Sequence, residues 1–352
     1  MRAFACDVCS HLVFFENSVC VTCGSSLGYS RDEARVVALD PQTGTYVGPD
    51  GRVQRVCANL SLAACTWLVD VTSGRPGLCD CCRLTRTRPA NNDVKGLGAF
   101  ARTEAAKRRL LFQLDALGLP VVGRDVDPQH GLAFDLLSSE HRSVITGHDD
   151  GLITLDLAEG DDGYRESLRV RLDEPYRTLL GHLRHEVGHY YWDVLVGRGG
   201  PIEPFRETFG DERRDYATAL REHYASDPAR GWNADYVSGY ATAHPWEDWA
   251  ETFAHYLHIR DTLQTASAYG LWIGGPDAPV RTDPGMSLAS LPTEDAPSIE
   301  SVMEMWLPLT YALNQVNRSM GRDDLYPFVL APRVVAKLDF VHRLVHALEL
   351  AV

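Results

Sequence analysis

The chain has 352 residues and a formal net charge of −14, which opposes a large nucleic-acid footprint because a backbone binder must neutralise many phosphates. No apolar run reaches the roughly 18 residues of a membrane span, and the start, Met1-Arg-Ala-Phe-Ala-Cys-Asp, lacks a basic stretch followed by a long apolar core, so neither a span nor a signal peptide is expected. The nine cysteines fall largely into metal-like pairs, which suits a reducing compartment and makes the cytoplasm the expected location.

The first element is a pair of metal knuckles. Cys6 and Cys9, then Cys20 and Cys23, are two CxxC steps with ten residues between them. Each step can close a tight knuckle that presents two thiolates, and four thiolates complete a tetrahedral zinc shell with no open position, which makes the site structural. The flanking stretches, Ser10 to Asn17 and Gly24 to Ser30, are too short to bury a core, so zinc is expected to supply the folding free energy of this module. A second set, Cys57, Cys65, Cys79 and Cys82, ends in another CxxC and is expected to hold a second structural zinc, with Cys81 as a spare able to replace Cys79. Free buried thiols or disulfides are the plain alternative. Such a zinc-ribbon region can also bind a protein partner.

Pro89-Ala-Asn-Asn-Asp is the expected boundary between a zinc-ribbon region at 1–88 and a catalytic region at 89–352. Around it Arg83, Arg86, Arg88, Lys95, Arg102, Lys107, Arg108 and Arg109 are opposed only by Asp93 and Glu104, a pattern that predicts a solvated or interdomain face more than a nucleic-acid site. A helix is expected from about Ala99 to Leu117, ending at Gly118, and Pro120-Val-Val opens the catalytic domain proper. Ser143 to Thr146 and Leu152 to Leu157 read as strands joined through His148-Asp-Asp-Gly151, with His148 and Asp149 as turn residues of a hairpin.

His185-Glu186-Val187-Gly188-His189 is the most specific motif of the chain. It lies in a proline-free run from Tyr176 to Val196. Asp173-Glu174-Pro175 offers a cap, an acidic first turn and a first-turn proline, and Gly197, Gly199, Gly200 and Pro201 break the run. Leu179, Leu183, Val187, Tyr190 and Tyr191 recur at helical spacing and give the helix a core face. Two imidazoles four residues apart share a helix face and can bind one metal ion. Glu186, one residue on from the first, falls beside the water of an open coordination position rather than on the metal, as a zinc hydrolase requires. The plain alternative is a pair of core histidines around a buried glutamate.

The Gly197 to Pro204 loop, Phe205 to Asp211 and a helix from about Glu212 to Tyr224 are placed to wall a cleft. Beyond them, Tyr240-Ala-Thr-Ala-His-Pro-Trp-Glu247-Asp248-Trp-Ala-Glu251 is the best donor of a third ligand, since Pro245 can open a helix with carboxylates in its first turns. Glu247 and Glu251 lie four apart on one face. If Glu247 binds zinc, Glu251 sits one turn along, where it can accept the free ring N–H of a ligating histidine, and Tyr240 can donate its phenol to a developing oxyanion. Glu251, Asp248 and Asp193 stay open as rival ligands. Helices near Ser298 to Met320 and Pro332 to Leu350 have amphipathic spacing and no evident chemistry, and Thr282-Asp-Pro-Gly and Glu294-Asp-Ala-Pro mark loops.

The Tyr-x6-Glu-x3-Glu arrangement after HExxH resembles the gluzincin-type active site of the anthrax lethal factor protease domain and of the bacterial Pro-Pro endopeptidases. That resemblance implies Glu247 as ligand, Glu251 as the partner of a ligating histidine and Tyr240 as the oxyanion donor. More broadly, Cys79-Asp-Cys-Cys-Arg-Leu, Gly151-Leu-Ile-Thr-Leu, Glu174-Pro-Tyr-Arg-Thr-Leu-Leu-Gly-His, His185 to Asp193, Phe209-Gly-Asp-Glu-Arg and His244 to His258 resemble the bacterial zinc-binding metallopeptidases with an N-terminal zinc-ribbon region. The resemblance to zincin folds further implies that Leu152 to Leu157 is an edge strand beside the active-site helix, where it would pair with an extended substrate; an interior strand is the alternative.

Together these readings predict an α+β, zincin-like metallopeptidase domain behind a zinc-ribbon region, with one catalytic and one or two structural zinc ions and a peptide or protein as substrate. His185, His189 and Glu247 hold the catalytic zinc, Glu186 acts as general base and Tyr240 polarises the carbonyl. A non-peptide amide hydrolase, or a zinc-ribbon binding scaffold without turnover, would carry the same residues.

Overall fold

The structure, a computed structural model, describes residues 2–72, 77–139, 144, 146–160, 178–225, 231–273 and 296–349. Its N-terminal part is made of short antiparallel pairs. Strand β1 (Phe4–Ala5) pairs with β2 (Leu12–Val13), and β3 (Leu27–Ser30) pairs with β4 (Arg35–Ala38). Strands β5 (Thr45–Val47) and β6 (Val53–Val56), followed by the one-turn helix α1 (Leu60–Ala63) and β7 (Leu68–Asp70), form a three-stranded sheet. The one-turn helix α2 (Asp80–Arg83) leads into β8 (Thr85–Thr87) and, after the Pro89 segment, into the long helix α3 (Val94–Ala116).

The stretches around the first cysteine set do bury a core, which corrects the expectation from their length. Val13, Phe15, Leu27 and Tyr29 are all buried in one apolar cluster that runs into α3, with the rings of Phe15 and Tyr29 4.8 and 5.7 Å from that of Phe112. The segments are short, but α3 supplies the other half of their core, so apolar burial and metal share the stabilisation.

Helix α3 begins at Val94 rather than near Ala99 because the Asp93 side chain accepts the Gly96 N–H at 2.6 Å and caps it. Most of the basic run on either side of Pro89 is paired with groups of the same chain. Arg83 pairs with Asp125 at 2.5 Å, Arg109 with Glu16 at 2.7 Å and Arg86 with Asp135 at 3.0 Å, while Arg102 and Arg108 donate to the carbonyls of Gly160 and Ala63. Lys107 is fully buried against Glu104 at 2.6 Å.

Strands β9 (Ala133–Leu137), β10 (Gly147–Asp149) and β11 (Leu152–Asp156) join β8 in a four-stranded sheet of order β10-β11-β9-β8, in which only β10 runs antiparallel to its neighbour. β8 precedes the Pro89 segment, so the sheet draws strands from both sides of it. Two expectations are corrected here. β11 is an interior strand, and among the described residues β10 is the edge on its side of the sheet, packed against the helix that carries His185. His148 and Asp149 lie within β10 rather than in the turn, because Asp150 and Gly151 at φ 44° and 81° close the hairpin in two residues. Of the strand expected at Ser143 to Thr146, Ser143 and Ile145 lie outside the described residues.

Helix α4 (Leu179–Trp192) carries the HExxH residues and widens into a π-helical turn at Asp193–Gly197. It starts at Leu179 because Thr178 is extended and its hydroxyl accepts the Gly181 N–H at 2.9 Å. The cap expected at Asp173-Glu174-Pro175 and the start at Tyr176 lie outside the described residues. Helix α5 (Ile202–Phe209) occupies part of the stretch expected as loop, turning Phe205 and Phe209 onto Trp249. Helix α6 (Tyr216–Ala225) begins after Glu212, whose carboxylate pairs with Arg206 at 2.6 Å, and is capped by Asp215 on the Thr218 N–H.

Helix α7 (Pro245–Ala268) lies against α4, and α8 (Ile299–Ser319) and α9 (Pro332–Glu349) support it from behind as the amphipathic spacing predicts. The loop marked by Thr282-Asp-Pro-Gly, and Glu294 and Asp295 of the second loop, lie outside the described residues. A buried hub joins three helices: Arg184 of α4 donates to Gln113 of α3 at 3.1 Å and to Asp261 of α7 at 2.7 Å, and Gln113 donates to the Leu257 carbonyl. Among the described residues, no helix is long and apolar enough to cross a membrane.

Candidate metal centre

The centre forms where α4 and α7 cross, and one glycine sets how closely they approach. A Cβ at Gly188 would meet the backbone Cα and O of Ala250 at 3.1 and 3.2 Å, and the Trp249 indole N–H donates to the Gly188 carbonyl at 2.8 Å. A side chain here would press on backbone, which cannot swing aside. Gly188→Val is therefore expected to spread the two helices, lower stability by about 1–3 kcal/mol and weaken metal binding at the centre. Thermal unfolding together with zinc content tests this; a variant that matches the wild type in both removes the crossing argument.

Pro245 opens α7, and the preceding His244 caps it by accepting the Trp246 N–H on its ring nitrogen at 3.1 Å. Glu247 then falls fully buried in the first turn. Its Oε2 lies 3.1 Å from His185 Nε2 and 3.5 Å from His189 Nε2, yet no hydrogen bond satisfies it. A buried oxygen left unpaired costs free energy, and a cation between these atoms would remove that cost. Zinc–ligand distances of about 2.0–2.1 Å imply tetrahedral edges of about 3.4 Å, close to both separations. Among the described residues, His185, His189 and Glu247 group as ligand atoms within 4.8 Å of one another, and Asp193, Asp248 and Glu251 are not part of that group. Asp248 instead accepts Lys337 of α9 at 2.6 Å.

Each group around the three is held in a different way. His185 directs Nδ1 to Glu251 Oε1 at 2.6 Å, and Glu251 takes the Ser238 hydroxyl on its other oxygen at 2.6 Å, so Nε2 is left for the centre. The His189 ring forms a cluster with Trp246, 4.2 Å away, and His148 of β10, 5.9 Å away, and those two rings are themselves 5.9 Å apart. Burial favours neutral carboxyls here, but His189 and His185 hold Glu247 well below the usual carboxylate range, and His185 brings Glu251 down to about 2. Burial also pushes the Tyr240 phenol up, and its ring stands 5.8 Å from that of His185.

Glu186 lies outside the ligand group and is anchored separately. Its Oε1 meets His182 Nε2 at 3.1 Å, His182 Nδ1 meets Glu159 Oε2 at 2.5 Å, and Glu159 accepts the Thr146 hydroxyl at 2.7 Å. Burial disfavours a charged ring at His182, but Glu159 and Glu186 outweigh it and raise its pKa to about 9. The other Glu186 oxygen, Oε2, is buried without a hydrogen-bond partner. The chain can thus keep Glu186 ionised with one oxygen fixed and the other available to a proton.

Both cysteine sets converge, each with its four sulfur atoms within 4.8 Å. In the first, Cys6 and Cys23 are 3.7 Å apart and Cys9 and Cys20 are 3.6 Å apart, against edges of about 3.8 Å for zinc–sulfur bonds of 2.3 Å. Ser10 and Gly24, at φ 59° and 75°, turn the chain sharply after each knuckle. In the second, Cys57, Cys65, Cys79 and Cys82 are all buried, with Cys65 and Cys79 3.6 Å apart. Cys81 is buried outside the set, and buried Lys107 and Arg108 of α3 lie within electrostatic reach of this sulfur cluster. None of the nine cysteines forms a disulfide.

His182, Glu159, His148, Ser238 and Tyr216 were not anticipated as parts of this centre. Of these only His182, four residues before Glu186 on the same helix face, leaves a signal in the sequence. The family model described as "Putative zinc-binding metallo-peptidase" matches residues 97–344, and a zinc-ribbon domain model matches residues 3–93. Uncharacterized proteins of Mycobacterium tuberculosis (strain H37Rv) and Mycobacterium bovis are each 50% identical over 346 residues, covering 98% of this chain and 95% of theirs. No solved structure matches. With His185, His189 and Glu247 converging inside the matched segment and two cysteine sets inside the ribbon match, the chain belongs to this zinc-binding metallopeptidase family and carries an N-terminal zinc-ribbon domain.

Proposed function

We propose that the chain is a zinc-dependent peptidase of the gluzincin type, in which His185, His189 and Glu247 hold the catalytic zinc. The observation that carries this reading is the buried, unpaired Oε2 of Glu247 facing two imidazole nitrogens across the helix crossing. When bound there, zinc polarises a carbonyl and lowers the pKa of a water at the open position.

The chain's own groups do the rest. Glu186, steadied by His182, takes a proton from the attacking water on its free oxygen and returns it to the leaving amine. Tyr240 donates its phenol to the oxygen that gains charge. Glu251 fixes the ring of His185 in the orientation that leaves Nε2 for the metal. Among the described residues β10 is the sheet edge beside the centre, which supports an extended peptide as the substrate. Cysteines grouped as metal ligands rather than disulfides suit a reducing compartment, the cytoplasm.

The ligand roles have a direct readout. Glu247→Ala is expected to lose the zinc of this centre, whereas Glu251→Ala weakens its binding by about 10–100-fold. Loss in Glu251→Ala alone would reverse the two assignments. The activity is tested by digesting a proteome-derived peptide library with the zinc-loaded protein, the chelator-stripped protein and the reloaded protein, reading new termini by mass spectrometry. Cleavage that vanishes on stripping and returns with zinc is the expected result. No new termini with the loaded protein would turn the reading toward a non-peptide amide or a binding role.

A further inference from the structure

Glu247 has two oxygens, and only one of them faces the histidines. Its Oε1 accepts the phenol of Tyr216 at 2.6 Å, the short separation of a charge-assisted O–H···O⁻ bond. Tyr216 is the first residue of α6, a helix that buries only Ala219 on its own account. Its ring stands edge-on to His244 at 5.3 Å and to Trp246 at 6.0 Å, and Trp246 is the ring tilted against His189 at 4.2 Å. Tyr216 is 37% exposed, so core packing does not account for where its hydroxyl goes.

A carboxylate can give a metal one oxygen or two, and a second oxygen would expand the four-coordinate shell, in which a hydrolytic zinc site keeps one position for water, to five-coordinate. We propose that Tyr216 is a positioning residue of the metal centre, whose phenol engages Oε1 of Glu247 and so makes that carboxylate a one-oxygen ligand. The inference rests on the reading that Glu247 binds the metal. It also explains why Oε2 alone is left unpaired between the two imidazoles. Through this hydroxyl Tyr216 ties α6 to the ligand itself, while His223 of the same helix stands edge-on to the Tyr240 ring at 6.0 Å.

Tyr216→Phe tests this with the ring and its contacts left in place. Zinc affinity of the centre, measured by competition with a chromogenic chelator, is expected to fall about 10–100-fold, while the zinc held by the cysteine sets stays in place. Cobalt loaded into the emptied centre reads coordination directly. The wild type should give the intense visible absorption of a four-coordinate ion, and Tyr216→Phe the weaker absorption of a five-coordinate one as the freed oxygen joins. An affinity within twofold of wild type overturns the proposal, as does a weaker affinity with an unchanged cobalt spectrum. Glu247→Ala, run alongside, separates the two levels of argument. If it keeps its zinc, the ligand assignment beneath the proposal fails; if it loses zinc while Tyr216→Phe behaves as wild type, only the role of Tyr216 fails.

Discussion

Glu186→Gln is expected to lower turnover on any substrate found by library digestion by about 10²–10⁴-fold, the usual worth of a positioned general base, with no change in zinc content. The separation follows from the geometry. Glu186 is not among the ligand atoms of the centre, so an amide in its place leaves His185, His189 and Glu247 as they are. Glutamine keeps the shape of the side chain and can still meet His182, but it cannot accept the water's proton. Zinc content by elemental analysis beside cleavage rate on one peptide reads both halves of the prediction. Wild-type turnover in Glu186→Gln would remove the general-base mechanism; loss of zinc would mean that Glu186 supports the ligands rather than the proton transfer.

What could be read from the sequence was what short-range spacing encodes. The CxxC steps, the two imidazoles four apart and the Glu247–Glu251 pair each depend on one turn of helix or one knuckle, and all three appear as sets of side chains in space. Pattern also located α8 and α9 to within a residue or so, because long amphipathic helices have strong periodicity. The misread parts depended on partners far along the chain. β11 became interior only because a three-residue strand, β10, pairs outside it, and the placement of His148 turned on whether the hairpin closes in two residues or four. Burial around the first cysteine set could not be judged from its own length, since Phe112 completes that core from 83 residues beyond Tyr29 (112 − 29). Tyr216 left no signal at all: nothing local to Tyr216 says that its hydroxyl ends on Glu247.

The same long-range packing ties the ribbon domain to the centre. α3 carries Phe112 into the ribbon core, Lys107 and Arg108 toward the second cysteine set, and Gln113 into the hub with Arg184 of α4, two residues before Glu186. One helix therefore faces the structural sulfur cluster on one side and the helix of the metal centre on the other. Disturbance of the ribbon should reach the centre, whereas loss of the centre's metal should not reach the ribbon.

Cys57→Ser makes that asymmetry measurable. The second set is wholly buried, and four buried thiolates without a cation between them would repel one another in a low-dielectric site. Structural zinc contributes about 10–16 kcal/mol in zinc-finger peptides, comparable with the whole net stability of a domain, about 5–15 kcal/mol. Removing one of the four ligands is therefore expected to unfold the ribbon domain, uncover the α3 face on which it packs and, through the Gln113–Arg184 hub, loosen the crossing that holds His185, His189 and Glu247. Zinc per chain should fall at the structural sites and at the centre together, with loss of near-ultraviolet circular dichroism. His185→Ala should lose the centre's zinc alone and unfold at nearly the wild-type temperature. Cys81→Ser is the control, since its thiol is buried outside the ligand set and its zinc content should not change. A folded Cys57→Ser protein with full zinc at the remaining sites would mean that the second cysteine set does not hold a structural metal, and that apolar packing against α3 is enough to maintain the ribbon domain.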